Sequence, residues 1–337
     1  MIGFPGKGRS MRRRKFITLV GGATTAWPLA VYAQQTPMPI IGFLDVRSPE
    51  AMGDRLVAFR QGLKETGFVE GENVSIAYRW AENRTDRLPE LAADLVRLKA
   101  AVITTAGPPA AFAAKAATTT IPILFVVAVD PVGLGLVASL DHPGGNLTGI
   151  NQFNSEVTAK RFALLHELIP QAKRVAVLVD PHDAANTASA LRGIEAAGGA
   201  TGLQTKVFNA GENSEIDVAF EAIAEERFDA LFVGASTFLN GQHVQLAQLA
   251  AFHRIPASYS AREFVEVGGL MSYGADLTEA FRQLGVYAGR IVKGARPADL
   301  PVVQATKLEL TINARTAKML GITVSPTLLS TADKVIE

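Results

Sequence analysis

The feature that most limits what this chain can fold into is a plan of elements laid down twice. Residues 40–44 (IIGFL) form a short apolar run that stops at Asp45, and residues 175–179 (VAVLV) form another that stops at Asp180. A polar loop follows each run, and then apolar residues at helical spacing: Met52, Leu56, Phe59 and Leu63 in the first half, Leu191, Ile194 and Ala197 in the second. Gly67 closes the first of these helices and Gly198-Gly199 the second. Further strands are expected at 73–80 and 101–105, matched by 203–208 and 229–234, with helices at 88–98 and 216–223 between them. The third strands break at 106–109 (AGPP) and 235–237 (AST), and the helices after them lead to Ile121-Pro122 and Ile255-Pro256. Asp45 and Pro122 lie 77 positions apart, and Asp180 and Pro256 lie 76 apart. Two unrelated layouts do not agree so closely in both order and spacing by chance.

Strands alternating with helices imply right-handed crossovers and a parallel sheet, so the fold class is α/β with two Rossmann-like parallel-sheet lobes. Residues 121–154 form the pivot between the halves. The apolar run there shows no alternation, which marks a strand covered on both faces, and its polar break at Asp130-Pro131 falls where open α/β sheets bind ligands. The chain then passes through Pro143-Gly144-Gly145 into a β-prone piece at 147–151, and a linker near 151–154 joins the halves. Late pieces, a strand at 269–274, a helix at 277–293 and a strand at 308–312, return to the first half and then to the second, giving three connections.

The chain of 337 residues is 48% hydrophobic and 19% charged, enough for about two domains that each bury a core. Its net charge of +1 gives no reason to expect a nucleic-acid or membrane-surface partner. With no cysteine, disulfides, thiolate metal sites, cysteine nucleophiles and a lipid-anchored cysteine are excluded. Residues 1–33 read as an export signal: a basic run at Arg12-Arg13-Arg14-Lys15, a moderately apolar stretch at 16–30, and Val31-Tyr32-Ala33 as a small-x-small cleavage site. Arg13-Arg14-Lys15-Phe16-Ile17 resembles a twin-arginine signal, though Ile17-Thr18 stands where Leu-Lys is typical, so the general secretory route stays open. Met11, directly before the basic run, is an alternative start.

Candidate binding residues sit where the strands end. Asp45, Asp130 and Asp180 can each accept hydrogen bonds from a solute, or cap the turn that follows. Gly107, with Pro108 beside it, and Ser236 and Thr237 come just before helices, whose first N–H groups suit a carboxylate; the alternative is that one hydroxyl caps its own helix. Ser48 and Asn186 lie in the loops after the first strands, where they either contact solute or face water. Tyr273 sits at a domain crossing and is a cleft-lining candidate, while Trp80 and Phe153 are candidate stacking platforms or core rings. His182 with Asp180 and Asp183 forms the one metal-like cluster and reads better as a solvated turn, so no metal or cofactor is expected. No G-x-S-x-G, G-x-x-x-x-G-K or G-x-G-x-x-G occurs, leaving catalysis without a nucleophile and the chain a non-enzyme.

Several stretches resemble a known family: Asp130-Pro131-Val132-Gly133, residues 143–149 (PGGNLTG), residues 269–274 (GLMSYG), residues 293–302 (KGARPADLPV) and residues 312–321 (INARTAKMLG), with Pro326 and Leu328-Leu329. On these the chain is similar to the exported substrate-binding proteins of ABC transporters with the type I periplasmic-binding fold. The resemblance covers nearly everything after Pro39. It implies two hinged lobes (38–152 with 275–304, and 153–274 with 305–330), a solute in the cleft and delivery to a membrane permease without chemistry. Some relatives bind amino acids, tryptophan included. The expected function is thus that of a monomeric periplasmic protein trapping an amino acid or related carboxylate, aromatic ones included. Two rivals use the same fold or site: a lactose-repressor-type regulator, whose helix-turn-helix would have to occupy the place of the export signal, and an exported enzyme with Asp45 and Asp130 as acid and base.

Overall fold

The computed structural model describes Gly3 and residues 38–337, apart from Phe153 and Thr306. The export-signal reading, with Met11 and the arginine pair, and the stacking reading of Phe153 lie outside the described residues. From residue 38 the chain runs β1 (Ile40–Asp45), α1 (Gly53–Glu65), β2 (Ser75–Trp80), α2 (Leu88–Arg97), β3 (Val102–Ala106), α3 (Pro108–Ala117), β4 (Ile123–Val127) and β5 (Leu147–Asn151). It continues with α4 (Asn154–Leu168), β6 (Arg174–Val179), α5 (Ala184–Thr201), β7 (Gln204–Asn209), α6 (Asn213–Glu225) and β8 (Ala230–Val233). Next come α7 (Thr237–Gly241), α8 (His243–Phe252), β9 (Ala257–Tyr259), α9 (Arg262–Glu266) and β10 (Met271–Ala275). The chain closes with α10 (Leu277–Val292), β11 (Val303–Gln304), β12 (Leu308–Asn313), α11 (Ala314–Met319), α12 (Pro326–Thr331) and β13 (Lys334–Ile336).

These strands build two sheets. The six-stranded one has the order β11-β5-β4-β3-β1-β2, and the seven-stranded one the order β13-β12-β10-β9-β8-β6-β7. The chain passes between them three times: from β5 to α4, from β10 to α10, and from β11 to β12. The central strands lack alternation because both of their faces are packed. In β4, Leu124 and Val126 join the cluster under α1 and α10, while Ile123, Phe125 and Val127 join the cluster under α2 and α3. In β6 and β8 the same split occurs, with Leu178 and Val233 on one side and Val177 and Phe232 on the other. Each buried side chain of this size contributes about 1.5–3 kcal/mol relative to exposure, so neither face can be spared.

Helix α10 returns to the first lobe by close approach to α1. A Cβ on Gly62 would run into the Arg282 carbonyl oxygen, and one on Gly285 into that of Phe59, so only hydrogen at both positions lets the backbones meet. Pairing is parallel throughout the first sheet. The second sheet is parallel but for β12, which runs antiparallel to β10, a departure that the sequence pattern does not announce. Right-handed crossovers join parallel strands when the connection stays in one sheet. The connection from β10 to β12 leaves through the other lobe by way of α10 and β11, so that constraint does not act on it. Strand β13, parallel to β12, is an edge addition that carries no apolar run in the sequence. Among the described residues no helix is long and apolar enough to cross a membrane.

Candidate functional site

The carboxyl ends of the two sheets face one another across a cavity of about 60 Å³. The first lobe contributes Arg47, Gly107, Val126, Ala128, Leu277 and Phe281 to its wall; the second contributes Asn186, Ser236, Thr237, Asn240 and Ser260. Gln152 and Gly274 stand in the same wall, at the first and second crossings. The lobes meet directly around it. Gly107 takes φ +80° and lies so close to Thr237 that any Cβ there would run into Thr237 Oγ1, and Gly241 of α7 packs against the Arg47 stem. Arg55 on α1 reaches Glu263 on α9, with Nη2 3.0 Å and Nε 3.3 Å from Oε1. That pair is largely enclosed, the Arg55 side chain 5% and Glu263 20% exposed, and Arg55 Nη1 is buried without a partner among the described residues.

Asp45 ends β1 as expected but does not reach the cavity. It is fully buried and its carboxylate is taken up by Arg47, which donates from its backbone N (2.9 Å), Nε (2.9 Å) and Nη2 (2.7 Å). It is Arg47 that enters the wall, held in one orientation by a two-pronged ion pair, and Nη1 has no partner among the described residues. The signal for it is in the sequence: an arginine two residues beyond a strand-end aspartate can take both of its oxygens.

The other candidates divide in the same way. Gly107, Asn186, Ser236 and Thr237 line the cavity; Ser48, Pro108, Asp130 and Tyr273 do not. The Gly107 N–H donates to Val126 O at 2.9 Å, and Pro108 and Pro109 carry no N–H, so the start of α3 cannot offer the row of donors expected of it. Ser236 caps its own short helix, its Oγ accepting from Leu239 N at 2.9 Å. Asp130 is exposed and accepts from the Val132 and Gly133 N–H groups, both at 3.0 Å, in its own turn. Asp45 and Asp130 therefore do not meet across the cavity. The Ser48 hydroxyl pairs with exposed Glu50, holding that carboxyl below its usual range. Tyr273 packs into the core of the second lobe, where burial pushes its phenol up, and its neighbour Gly274 takes the cavity face by strand alternation. Trp80 lies in the first lobe's core, its ring stacked on Tyr78 at 5.7 Å.

Asp180, the counterpart of Asp45, accepts from His182 N at 2.9 Å, and burial, the largest influence on it, raises its pKa. Asp183 caps α5 and accepts from Asn186 N at 3.3 Å and Asn186 Nδ2 at 2.6 Å; burial pushes its carboxyl up to about 6. Among the described residues no group of three His, Cys, Asp or Glu is placed to hold a metal ion. Gln152, Asn240, Ser260 and Phe281 escaped the sequence reading because they belong to a linker, a helix interior and late elements. Which lobe those join is decided only by tertiary packing.

A family model described as ABC transporter substrate binding protein matches residues 41–336. A tyrosine-binding protein of Clostridioides difficile (strain R20291) is 27% identical over 262 residues, covering 78% of this chain and 75% of its own. Among solved structures, a conserved domain protein of Vibrio cholerae O1 biovar El Tor superposes with a TM-score of 0.81 at 27% identity, over 88% of this chain and 99% of that one. The ABC domain of Streptococcus pneumoniae in complex with L-Trp superposes with a TM-score of 0.80 at 26% identity, over the same shares. The family match runs through both sheets and all three crossings, and the chain belongs to the ABC transporter substrate-binding proteins.

Proposed function

We propose that this protein is the exported solute-binding component of an ABC importer, working as a monomer. It traps an amino acid or related carboxylate, aromatic ones included, between its lobes and delivers it unchanged to a membrane permease. The observation that carries this reading is the wall of the cavity. Both lobes supply it, and it holds polar groups whose hydrogen-bonding capacity the described residues leave unfilled: Arg47 Nη1, Gln152 Nε2 and Asn186 Oδ1. Each charge-assisted hydrogen bond to a carboxylate is worth about 1.5–3 kcal/mol. Two or three, with one apolar group against Phe281 or Val126, reach the roughly 8 kcal/mol of micromolar binding. A solute touching both lobes favours their closure, because only a difference in affinity between open and closed forms shifts a hinge.

In this closed arrangement the cavity has room for about five water-sized groups. That suits an amino-acid head group, while a bulky side chain requires the lobes to stand further apart. The tyrosine-binding and L-Trp-bound relatives support the amino-acid class. The test is a thermal-shift screen of the twenty amino acids and of aromatic and short aliphatic acids, followed by titration calorimetry. Stabilisation by at least one is expected, and none by any solute in the screen sinks the proposal. Fractionation of expressing cells tests export, with mature protein expected outside the cytoplasm.

A further inference from the structure

Asp183 does not line the cavity, yet it decides what Asn186 presents there. The carboxylate is 3% exposed and accepts from the Asn186 side-chain nitrogen at 2.6 Å. An ionised carboxylate only accepts, so the amide nitrogen must face it and the amide oxygen must turn elsewhere. Asn186 is itself 3% exposed and part of the cavity wall, and its Oδ1 has no hydrogen-bond partner among the described residues. A buried acceptor left unpaired carries its full desolvation cost, and such atoms are rare enough in folded proteins to require a reason. The negative charge behind the amide also polarises it, making the oxygen a better acceptor for a cation.

The rest of the wall is complementary. Among the described residues Arg47 Nη1 and Gln152 Nε2 are donors without partners and no carboxylate lines the cavity, since Asp45 is sealed behind Arg47 and Asp183 behind Asn186. A solute that fills these groups carries an anionic end for Arg47 and Gln152 and an N–H donor for Asn186. We propose that Asn186 Oδ1, oriented by Asp183, accepts a hydrogen bond from the ammonium of an α-amino acid, so that the site selects α-amino acids over the matching carboxylates that lack the amino group. This rests on the solute-binding reading above and narrows it; Asp183 acts as a positioning residue.

The experiment is titration calorimetry with three matched pairs: L-tyrosine with 3-(4-hydroxyphenyl)propionate, L-tryptophan with indole-3-propionate, and L-alanine with propionate. For at least one pair the amino acid is expected to bind about tenfold or more tightly, the difference a hydrogen bond to a charged group supplies. Asn186→Leu is expected to weaken the amino acid alone and bring the ratio near one. Asp183→Asn, which keeps the helix cap, is expected to lower the same ratio partway while leaving the des-amino partner unchanged. A merely structural role would move both members of a pair together. Equal affinity within every pair, or an Asn186→Leu protein that weakens both members alike, overturns this assignment and leaves the solute-binding reading standing. No heat from any of the six probes, together with no stabilisation by any of the twenty amino acids in the thermal-shift screen, overturns it along with the amino-acid class.

Discussion

Replacing Glu263 by glutamine tests whether the lobes are held together by the ion pair that crosses the cleft. The substitution keeps the shape of the side chain and removes its charge. In the closed form the Arg55 guanidinium, 5% exposed and with Nη1 already unpartnered, then has no counter-charge, whereas opening the lobes returns it to water. Removing one partner of a fully buried pair costs about 3–5 kcal/mol. Glu263 is 20% exposed and glutamine still accepts a hydrogen bond, so about 1.5–3 kcal/mol is the better figure here. At 1.4 kcal/mol per decade, the apparent Kd for the best-binding solute rises by roughly ten- to a hundredfold. Calorimetry reads the affinity, and the radius of gyration from small-angle scattering reads closure.

Arg55→Leu combined with Glu263→Gln leaves no unpaired charge and is expected to recover most of the loss. Burial pushes the Glu263 carboxyl up, but the charge and hydrogen bonds of Arg55 outweigh it and hold the group below its ordinary 4.5. A depressed carboxylate stabilises the closed form fully above 4.5, and that contribution is lost as the pH falls below it, so wild-type affinity drops there while Glu263→Gln stays flat. A Glu263→Gln protein that binds within threefold of wild type and scatters identically refutes the reasoning.

Three further outcomes are expected. Gly107→Ala forces a side chain into a backbone region nearly reserved for glycine, at about 1–3 kcal/mol, and into Thr237 besides; binding weakens at least tenfold by calorimetry, and adding Thr237→Ala restores only part of it. Asp183, with its carboxyl raised to about 6 by burial and by neighbouring Asp180, binds its proton more tightly folded than unfolded, so stability falls as pH rises from 3.8 to about 6. Asp183→Asn removes that contribution: its melting temperature relative to wild type climbs across this window and levels off above it, with Asp180 and the adjacent His182 left in place. Gly285→Val drives a side chain into the Phe59 carbonyl and destabilises by roughly 2–3 kcal/mol in denaturant melts.

The fold was largely legible in the sequence because burial on both faces writes itself as apolar runs without alternation, and the runs at 40–44 and 175–179 open two halves whose later elements follow at matched spacing. The antiparallel β12 was not, since no local pattern encodes the direction of a strand that re-enters a sheet from another lobe. At the site, position along the strand was readable but orientation was not. Gly107, Asn186, Ser236 and Thr237 reach the cavity, whereas Tyr273 misses it by one residue, and a period of two turns that single step into the opposite face. Asp45 shows a different limit: the arginine two residues on marks a partner for its charge, but only the fold shows that the pair puts Arg47 and not Asp45 in the wall.

The return of α10 to the first lobe has a consequence for biosynthesis. The apolar side of α1, with Phe59 and Leu63, lacks its partner until residues 277–292 have left the ribosome, and the second sheet lacks β12 until residue 313. Neither half can finish its interior while most of the message is being read. The nascent polypeptide therefore stays loosely organised almost to the end of translation, and a version ending near residue 270 would leave both halves incomplete and prone to aggregate.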